Sequence, residues 1–197
     1  MKIIAISDTH IESGSIIEAL PVGLVKLIKQ SDIVIHSGDF VTKQAYEELT
    51  GICRLEAVYG NMDEVKLKKL LPERKIIKAD GVKIGIVHEA TLSINDTTGA
   101  RYMAKEMDVD VLVFGHIHKP VIEKNDVLLV CPGSPTAPRL SEPGAVELVI
   151  REREITGRLI VFEGTRCSSI ESMKEFHAIP HDSINSRNSC HQMKPVS

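Results

Sequence analysis

Side chains of the kind that hold metal ions recur in short clusters along this chain: Asp8-Thr9-His10, Gly38-Asp39, Gly60-Asn61 and Gly115-His116-Ile117-His118, with His88 standing alone before the last. Imidazole and carboxylate together suit Mn, Fe, Zn, Co or Ni better than Ca or Mg, which prefer oxygen alone. No cysteine occupies a cluster position, which excludes a thiolate site. A carboxylate has two oxygens and can bridge two ions, so the set suggests a dinuclear centre. Two divalent ions bring about four positive charges, of which Asp8 and Asp39 cancel about half with the histidines neutral. The remaining charge would attract a phosphate and supply both a nucleophile and a clamp for phosphoryl oxygens. The chemistry this implies is hydrolysis of phosphate esters.

Each cluster taken singly has an ordinary explanation. Asp-x-His after a strand can cap a loop, Gly-Asp and Gly-Asn are common turn dipeptides, and Gly-His-x-His can be a surface turn. Their joint appearance, each directly after an apolar run, is what points to metal. Lys2-Ile6, Asp32-His36, Leu55-Tyr59, Val82-Val87 and Val111-Phe114 read as strands. Ligands in open α/β sheets gather beyond the carboxyl ends of such strands. His36 lies within a strand beside the site and reads as a core residue or a support for the ligands.

Between these strands lie helix-like segments. Pro21 suits the first turn of a helix, on which Leu24, Leu27 and Ile28 share a face, and Thr42 would cap a helix over Thr42-Leu49. Glu64-Leu71 is closed by Pro72. Over Thr97-Met107 the residues Ala100, Met103, Ala104 and Met107 recur at helical spacing, a pattern of core packing. Asp80-Gly81 marks a hairpin between Lys75-Lys78 and Val82-Val87, and Asn125-Asp126 marks another between Val121-Lys124 and Val127-Val130. Val146-Arg151 and Ile155-Phe162 form a last antiparallel pair. The order is βαβαβ first and hairpins later, which an α/β fold of two mixed sheets packed together, with helices outside, would satisfy.

The 197 residues, 43% hydrophobic and 26% charged, suit one domain with a full core. A net charge of −3 and a lack of tryptophan give no strong signal for nucleic acid. Lys66, Lys68 and Lys69 read as the solvated face of a short helix. Cys53 and Cys131 read as reduced core thiols. With neither a signal peptide nor a membrane-spanning run, the expected setting is cytoplasmic. The domain is expected over residues 1–164. Residues 165–197, rich in serine and without apolar periodicity beyond a weak patch around Ile170-Phe176, read as a loosely held polar tail. Cys167, His177, His181, Cys190 and His191 fit no zinc spacing. An antiparallel edge such as Ile155-Phe162 could pair across a homodimer.

The motif set D-x-H, G-D, G-N-x-D, a lone H and G-H-x-H resembles that of the calcineurin-like metallophosphoesterases, especially their small prokaryotic phosphodiesterase branch, over residues 1–162. The resemblance implies a sandwich of two mixed β-sheets flanked by helices. It also implies that Asp8, His10, Asp39 and His118 bind one metal, and that Asp39 bridges to a second completed by Asn61, His88 and His116. Manganese leads the implied metals, with Ni, Zn, Fe and Co as alternatives. Asn61 would also touch the substrate phosphate, Asp63 would orient the site, Pro132-Gly133-Ser134 matches a loop near it, and Arg139 is a candidate phosphate contact. The implied activity is hydrolysis of a small phosphodiester by a metal-bound hydroxide.

Two positions depart from the family pattern. Relatives with strong monoesterase activity carry a histidine where this chain has Met62, which cannot protonate a leaving group. Glu89 stands where many relatives have glycine, and its carboxylate could offset the site's positive charge, crowd the phosphate or face solvent. A rival reading is a protein-interaction scaffold, as in the phosphoesterase-like subunit of the retromer complex, although such scaffolds tend to lose ligands. A phosphatase acting on phosphoproteins or dinucleoside polyphosphates is disfavoured by Met62 and by the absence of arginine beside Asp39 or Asn61.

Overall fold

The computed structural model describes residues 1–91, 95–139 and 141–162, and the backbone of 175–178. One sheet is built on β1 (Lys2–Ile6), β2 (Ile33–His36) and β3 (Leu55–Ala57), which run parallel. Helices α1 (Ile16–Ala19), α2 (Val22–Lys29) and α3 (Lys43–Thr50) lie in the crossovers, and α4 (Val65–Leu70) follows β3. The hairpin β4 (Arg74–Ala79) and β5 (Val82–Val87) opens a second sheet. After α5 (Thr98–Glu106), the strands β6 (Val111–Val113), β7 (Pro120–Lys124) and β8 (Leu128–Pro132) complete it in the order β4-β5-β6-β8-β7. The chain then returns to the first sheet with β9 (Gly144–Arg151) and β10 (Glu154–Val161), antiparallel to one another, β9 lying against β1. Both sheets mix parallel and antiparallel pairs, as the order of elements implied.

The sandwich explains why its strands are apolar on both faces. Ile3, Ala5, Ile33 and Ile35 point inward to meet Val82, Ile84, Ile86, Val111, Val113 and Val130 from the other sheet. Their alternates Ile4, Ile6 and Val34 point outward under Ile16, Leu24, Ile28, Leu49 and Leu67 of the helices. On the far side Leu112, Phe114, Leu129 and Cys131 pack under Ala100 and Ala104 of α5, with Met103 and Met107 partly buried beside them. The Met/Ala stripe is core packing, and Cys131 is a buried thiol whose pKa burial drives upward.

Asp80 and Gly81 turn the first hairpin with φ of 45° and 79°, the left-handed pair that a two-residue type I′ connection requires. Thr42 caps α3, its hydroxyl accepting from Ala45 N at 3.4 Å. The expected loop before Pro21 holds α1 instead, capped by Ser15, whose side chain accepts from Ile17 N at 3.2 Å. Pro21 itself caps α2 rather than entering it.

The largest departure concerns the C-terminal segment. Glu175–Ala178 forms β11, antiparallel to β10 with Arg158 opposite Glu175 and Ile155 opposite Ala178. The β10 edge expected to be available to a second copy is therefore occupied from within the chain. His177 lies in β11, while Cys167, His181, Cys190 and His191 lie outside the described residues. Among the described residues no helix is long and apolar enough to cross a membrane.

Candidate metal centre

The parallel strands bring their carboxyl ends to one edge of the sandwich. Asp8 and His10 follow β1, Asp39 follows β2, Asn61 follows β3, His88 directly follows β5, and His116 and His118 follow β6. Asp8, His10, Asp39, His116 and His118 adopt positive φ, between 47° and 73°, as does Val41 at 80°. Such backbone costs about 1–3 kcal/mol per residue and survives only where its surroundings hold it. Here the β1 and β2 loops run side by side: Asp8 N donates to Gly38 O, His10 N to Asp39 O and Ile11 N to Phe40 O, each at 3.0 Å. The Asp63 carboxylate completes the support by accepting from Val41 N at 2.7 Å, Asp39 N at 3.1 Å and Gly60 N at 2.7 Å.

Close approach requires glycine at two places. A Cβ on Gly60 would fall 2.6 Å from Asp39 N and onto the Asp39 carboxylate, and one on Gly115 would fall 2.9 Å from Asp8 Oδ2 and onto Ser7 Oγ. The glycines in the Gly-Asn and Gly-His-x-His clusters thus let the loops close upon the carboxylates.

All the expected ligand residues converge. His118 Nε2 lies 3.4 Å from Asp8 Oδ1 and 3.1 Å from His10 Nε2. Asp39 Oδ2 lies 3.6 Å from His10 Nε2 and 3.3 Å from His88 Nε2. Asn61 Oδ1 lies 2.9 Å from His88 Nε2 and 3.2 Å from His116 Nδ1. Groups whose ligand atoms lie within 4.8 Å of one another are Asp8, His10 and His118; Asp8, Asp39 and His88; and His88, Glu89 and His116. Asp39 Oδ2 thus lies between a histidine of the first group and one of the last.

The protonation pattern suits cations. His118 Nδ1 stands 2.6 Å from Ala137 O and His88 Nδ1 stands 2.8 Å from Ser37 O. A carbonyl only accepts, so Nδ1 carries hydrogen in both rings, and when neutral each turns the lone pair of Nε2 into the site. Those lone pairs then face the oxygens of Asp8, Asp39 and Asn61, acceptor against acceptor, an arrangement that repels unless a cation or a proton lies between. Burial raises the Asp8 pKa despite nearby histidines. Burial also opposes ionisation of Asp39, but its hydrogen bond and charge interaction with His88, with Met62 N, outweigh it and hold the carboxyl low. His88 is the converse: burial lowers its pKa, and the Asp39 and Asp8 carboxylates raise it overall. Desolvation lowers that of His10. This donor set fits divalent transition ions.

Supporting residues fall close to expectation. His36 is fully buried, stacked on Phe40, with Nδ1 accepting from Gly38 N at 3.2 Å and Nε2 at 3.1 Å from Thr9 Oγ1. Burial holds its pKa well below the usual range, so it is a neutral, satisfied core ring. Ser134 Oγ donates to Asp8 O at 2.6 Å and accepts from Ala137 N at 2.8 Å, while Thr136 Oγ1 donates to Thr9 O at 2.6 Å. The Ser134 loop therefore ties Asp8 to the carbonyl that orients His118, a role that the Pro-Gly-Ser match did not specify. Arg139 is exposed, near enough for its charge to act on His10. Met62 is 56% exposed, and its N–H donates to Asp39 Oδ1 at 2.7 Å. Glu89 is exposed, with its carboxylate near His88 and His116.

If cations relieve this crowding of acceptors, they must stabilise the fold. At one hundred times its dissociation constant, Mn²⁺ should add about 2.7 kcal/mol per site, raising Tm by roughly 5–10 °C for a chain of this length. Thermal unfolding of chelator-treated protein with and without Mn²⁺ measures it, and an unchanged Tm would count against a metal centre.

A family model described as the calcineurin-like phosphoesterase superfamily domain matches residues 1–153. A probable metallophosphoesterase of Methanocaldococcus jannaschii is 34% identical over 165 residues, covering 83% of this chain and 82% of the relative. A phosphodiesterase of the same organism is 32% identical, covering 68% and 83%. Among solved structures, Vps29 of Entamoeba histolytica complexed with Zn²⁺ superposes with a TM-score of 0.70 at 25% identity, covering 90% of this chain and 98% of that one. The matched family region carries all the converging candidate ligands, and the chain belongs to the calcineurin-like phosphoesterase superfamily.

Proposed function

We propose that this protein is a phosphodiesterase working with two divalent metal ions. The observation that carries the reading is the position of Asp39 Oδ2, 3.6 Å from His10 Nε2 and 3.3 Å from His88 Nε2, between two histidine-containing groups. Asp8, His10, Asp39 and His118 would hold one ion, and Asp39, Asn61, His88 and His116 the other, with manganese first among the candidates. When bound, the ions supply a water-derived nucleophile at neutral pH and positive charge against the phosphoryl oxygens. Asn61 and Arg139 flank the place where the phosphate would lie, Asn61 touching it and Arg139 adding positive charge. As the water oxygen bonds to phosphorus, the ester P–O bond breaks and the departing oxygen takes its proton from solvent, since Met62 has none to give. The likeness to an archaeal phosphodiesterase supports the same substrate class.

Hydrolysis of bis-p-nitrophenyl phosphate against p-nitrophenyl phosphate, by metal-stripped protein resupplied with Mn²⁺, tests the reading. A clear diester preference is expected; both substrates release p-nitrophenolate, which departs without a proton, so the ratio compares acceptance of a diester with that of a monoester and not acid catalysis. A monoester preference would overturn it. The likeness to Vps29 supports a second reading, an interaction scaffold. A scaffold should turn over neither substrate whatever its metal content, since that Vps29 is itself complexed with Zn²⁺.

A further inference from the structure

Beside the Asn61 and His88 corner of the site a cavity of about 220 Å³ opens, walled by Tyr59, Glu73, Glu89 and Met103. Its mouth is acidic. Glu73 and Glu89 are exposed, and Arg74, which also lines it, is matched by Glu106, with Nη1 3.0 Å from Oε1. The cleft therefore has an excess of carboxylate beside a site that, loaded with metal, is cationic. Tyr59 and Met103 are half-buried and give it a polarizable, partly apolar wall. An aromatic side chain beside carboxylates is the chemistry that receives an alkylammonium group, and the same carboxylates repel an arm that bears a further phosphate.

Resting on the phosphodiesterase reading, we infer that this cleft receives one ester arm of the diester and selects an arm carrying a positive charge, an ammonium on a short alkyl chain. The phosphate then lies against the metal corner formed by Asn61 and His88, and the ammonium lies between Glu73, Glu89 and the Tyr59 ring. Glu89 acquires a role by this account: it turns a charge-neutral neighbour of the metal site into a wall that reads substrate charge.

The test uses two chromogenic diesters that share a leaving group and a shape and differ in one charge: p-nitrophenyl phosphorylcholine and p-nitrophenyl 3,3-dimethylbutyl phosphate. With the full chain loaded with Mn²⁺, kcat/KM for the choline ester should exceed that of its neutral twin by about three- to tenfold, the range of a partly exposed charge contact with an aromatic contribution. The difference should lie in KM. Glu73→Gln and Glu89→Gln should each move the ratio toward one, and Glu73→Gln is the cleaner variant because Glu73 lies outside the metal groups. Calorimetric binding of phosphocholine and of 3,3-dimethylbutyl phosphate to the loaded protein should show the same order. Equal efficiency on the two diesters, or a ratio unmoved in both variants, would overturn the inference while leaving the phosphodiesterase reading intact. Failure to hydrolyse bis-p-nitrophenyl phosphate as well would sink that reading and take this inference with it.

Discussion

Asp39→Asn should lower diester hydrolysis by at least the roughly 10- to 100-fold that loss of a mere supporting residue costs a metal site, and leave fewer than two Mn²⁺ bound per chain. The reason lies in how the two carboxylate oxygens are used. Oδ1 accepts from Met62 N at 2.7 Å, and Oδ2 faces His10 Nε2 and His88 Nε2. An asparagine can satisfy only one side. With its oxygen kept on Met62 N, the amide NH₂ points to where cations would sit. Turned over, it sets an N–H donor against the Met62 N–H. Either rotamer removes the negative charge between the two histidine groups. Metal content by calorimetry or elemental analysis, measured with kcat, distinguishes this outcome from simple misfolding, which circular dichroism would reveal. A variant that keeps two ions and its rate would show that Asp39 bridges nothing.

Much of this centre was legible because its chemistry is written in residue type and its placement in one simple rule. Asp8, Asp39, Asn61, His88 and His116 each follow a strand, and the strands are apolar on both faces, so they could be recognised without knowing which face met which layer. The conformations that aim the ligands were not legible. Nothing in the letters announces that Asp8, His10, Asp39, His116 and His118 share a left-handed backbone, since that comes from loop-to-loop bonds such as His10 N to Asp39 O and from the three N–H groups gathered by Asp63. The Ser134–Ala137 support was half visible as a motif, but its function lies in a backbone carbonyl, which has no sequence signature. The acidic cleft has no sequence signature for a similar reason: Tyr59, Glu73, Glu89 and Met103 come from separate parts of the chain and meet only in the fold.

Other differences have local causes. Helix α1 did carry a signal, since Ser15 and Glu18 have the spacing of a capping box, although the Ser15 hydroxyl donates to Glu48 Oε2 at 2.7 Å rather than relying on Glu18. Strand β11 lacked one: Glu175–Ala178 is short and set among polar residues, and its existence depends on the open edge of β10, a tertiary fact. β3 and β6 end before the apolar runs do, because Val58 and Phe114 are apolar and fully buried although they lie past the last strand residues, Val58 more so than the half-buried Leu55 and Glu56. Burial alone does not separate a strand from the loop that extends it.

Met62→His should add a catalytic property that the native chain lacks. Met62 is 56% exposed at the rim, and its tie to the site is through its backbone N–H, which the substitution keeps. The fold has little reason to object to an imidazole there. A histidine so placed can give a proton to a departing alkoxide, which methionine cannot. General acids contribute about 10²–10⁴ in rate when ideally placed, so a grafted one should raise hydrolysis of phenyl phosphate by roughly 10- to 100-fold. The gain must depend on the leaving group. Phenolate leaves poorly and benefits, whereas p-nitrophenolate leaves without a proton and should gain little. Measuring both monoesters in wild type and variant therefore separates acid catalysis from a general change in metal loading, which would move the two rates together. An equal gain on both, or none on either, would mean that position 62 does not reach the leaving oxygen, and that the expected diester preference must originate in the shape and charge of the walls around the phosphate.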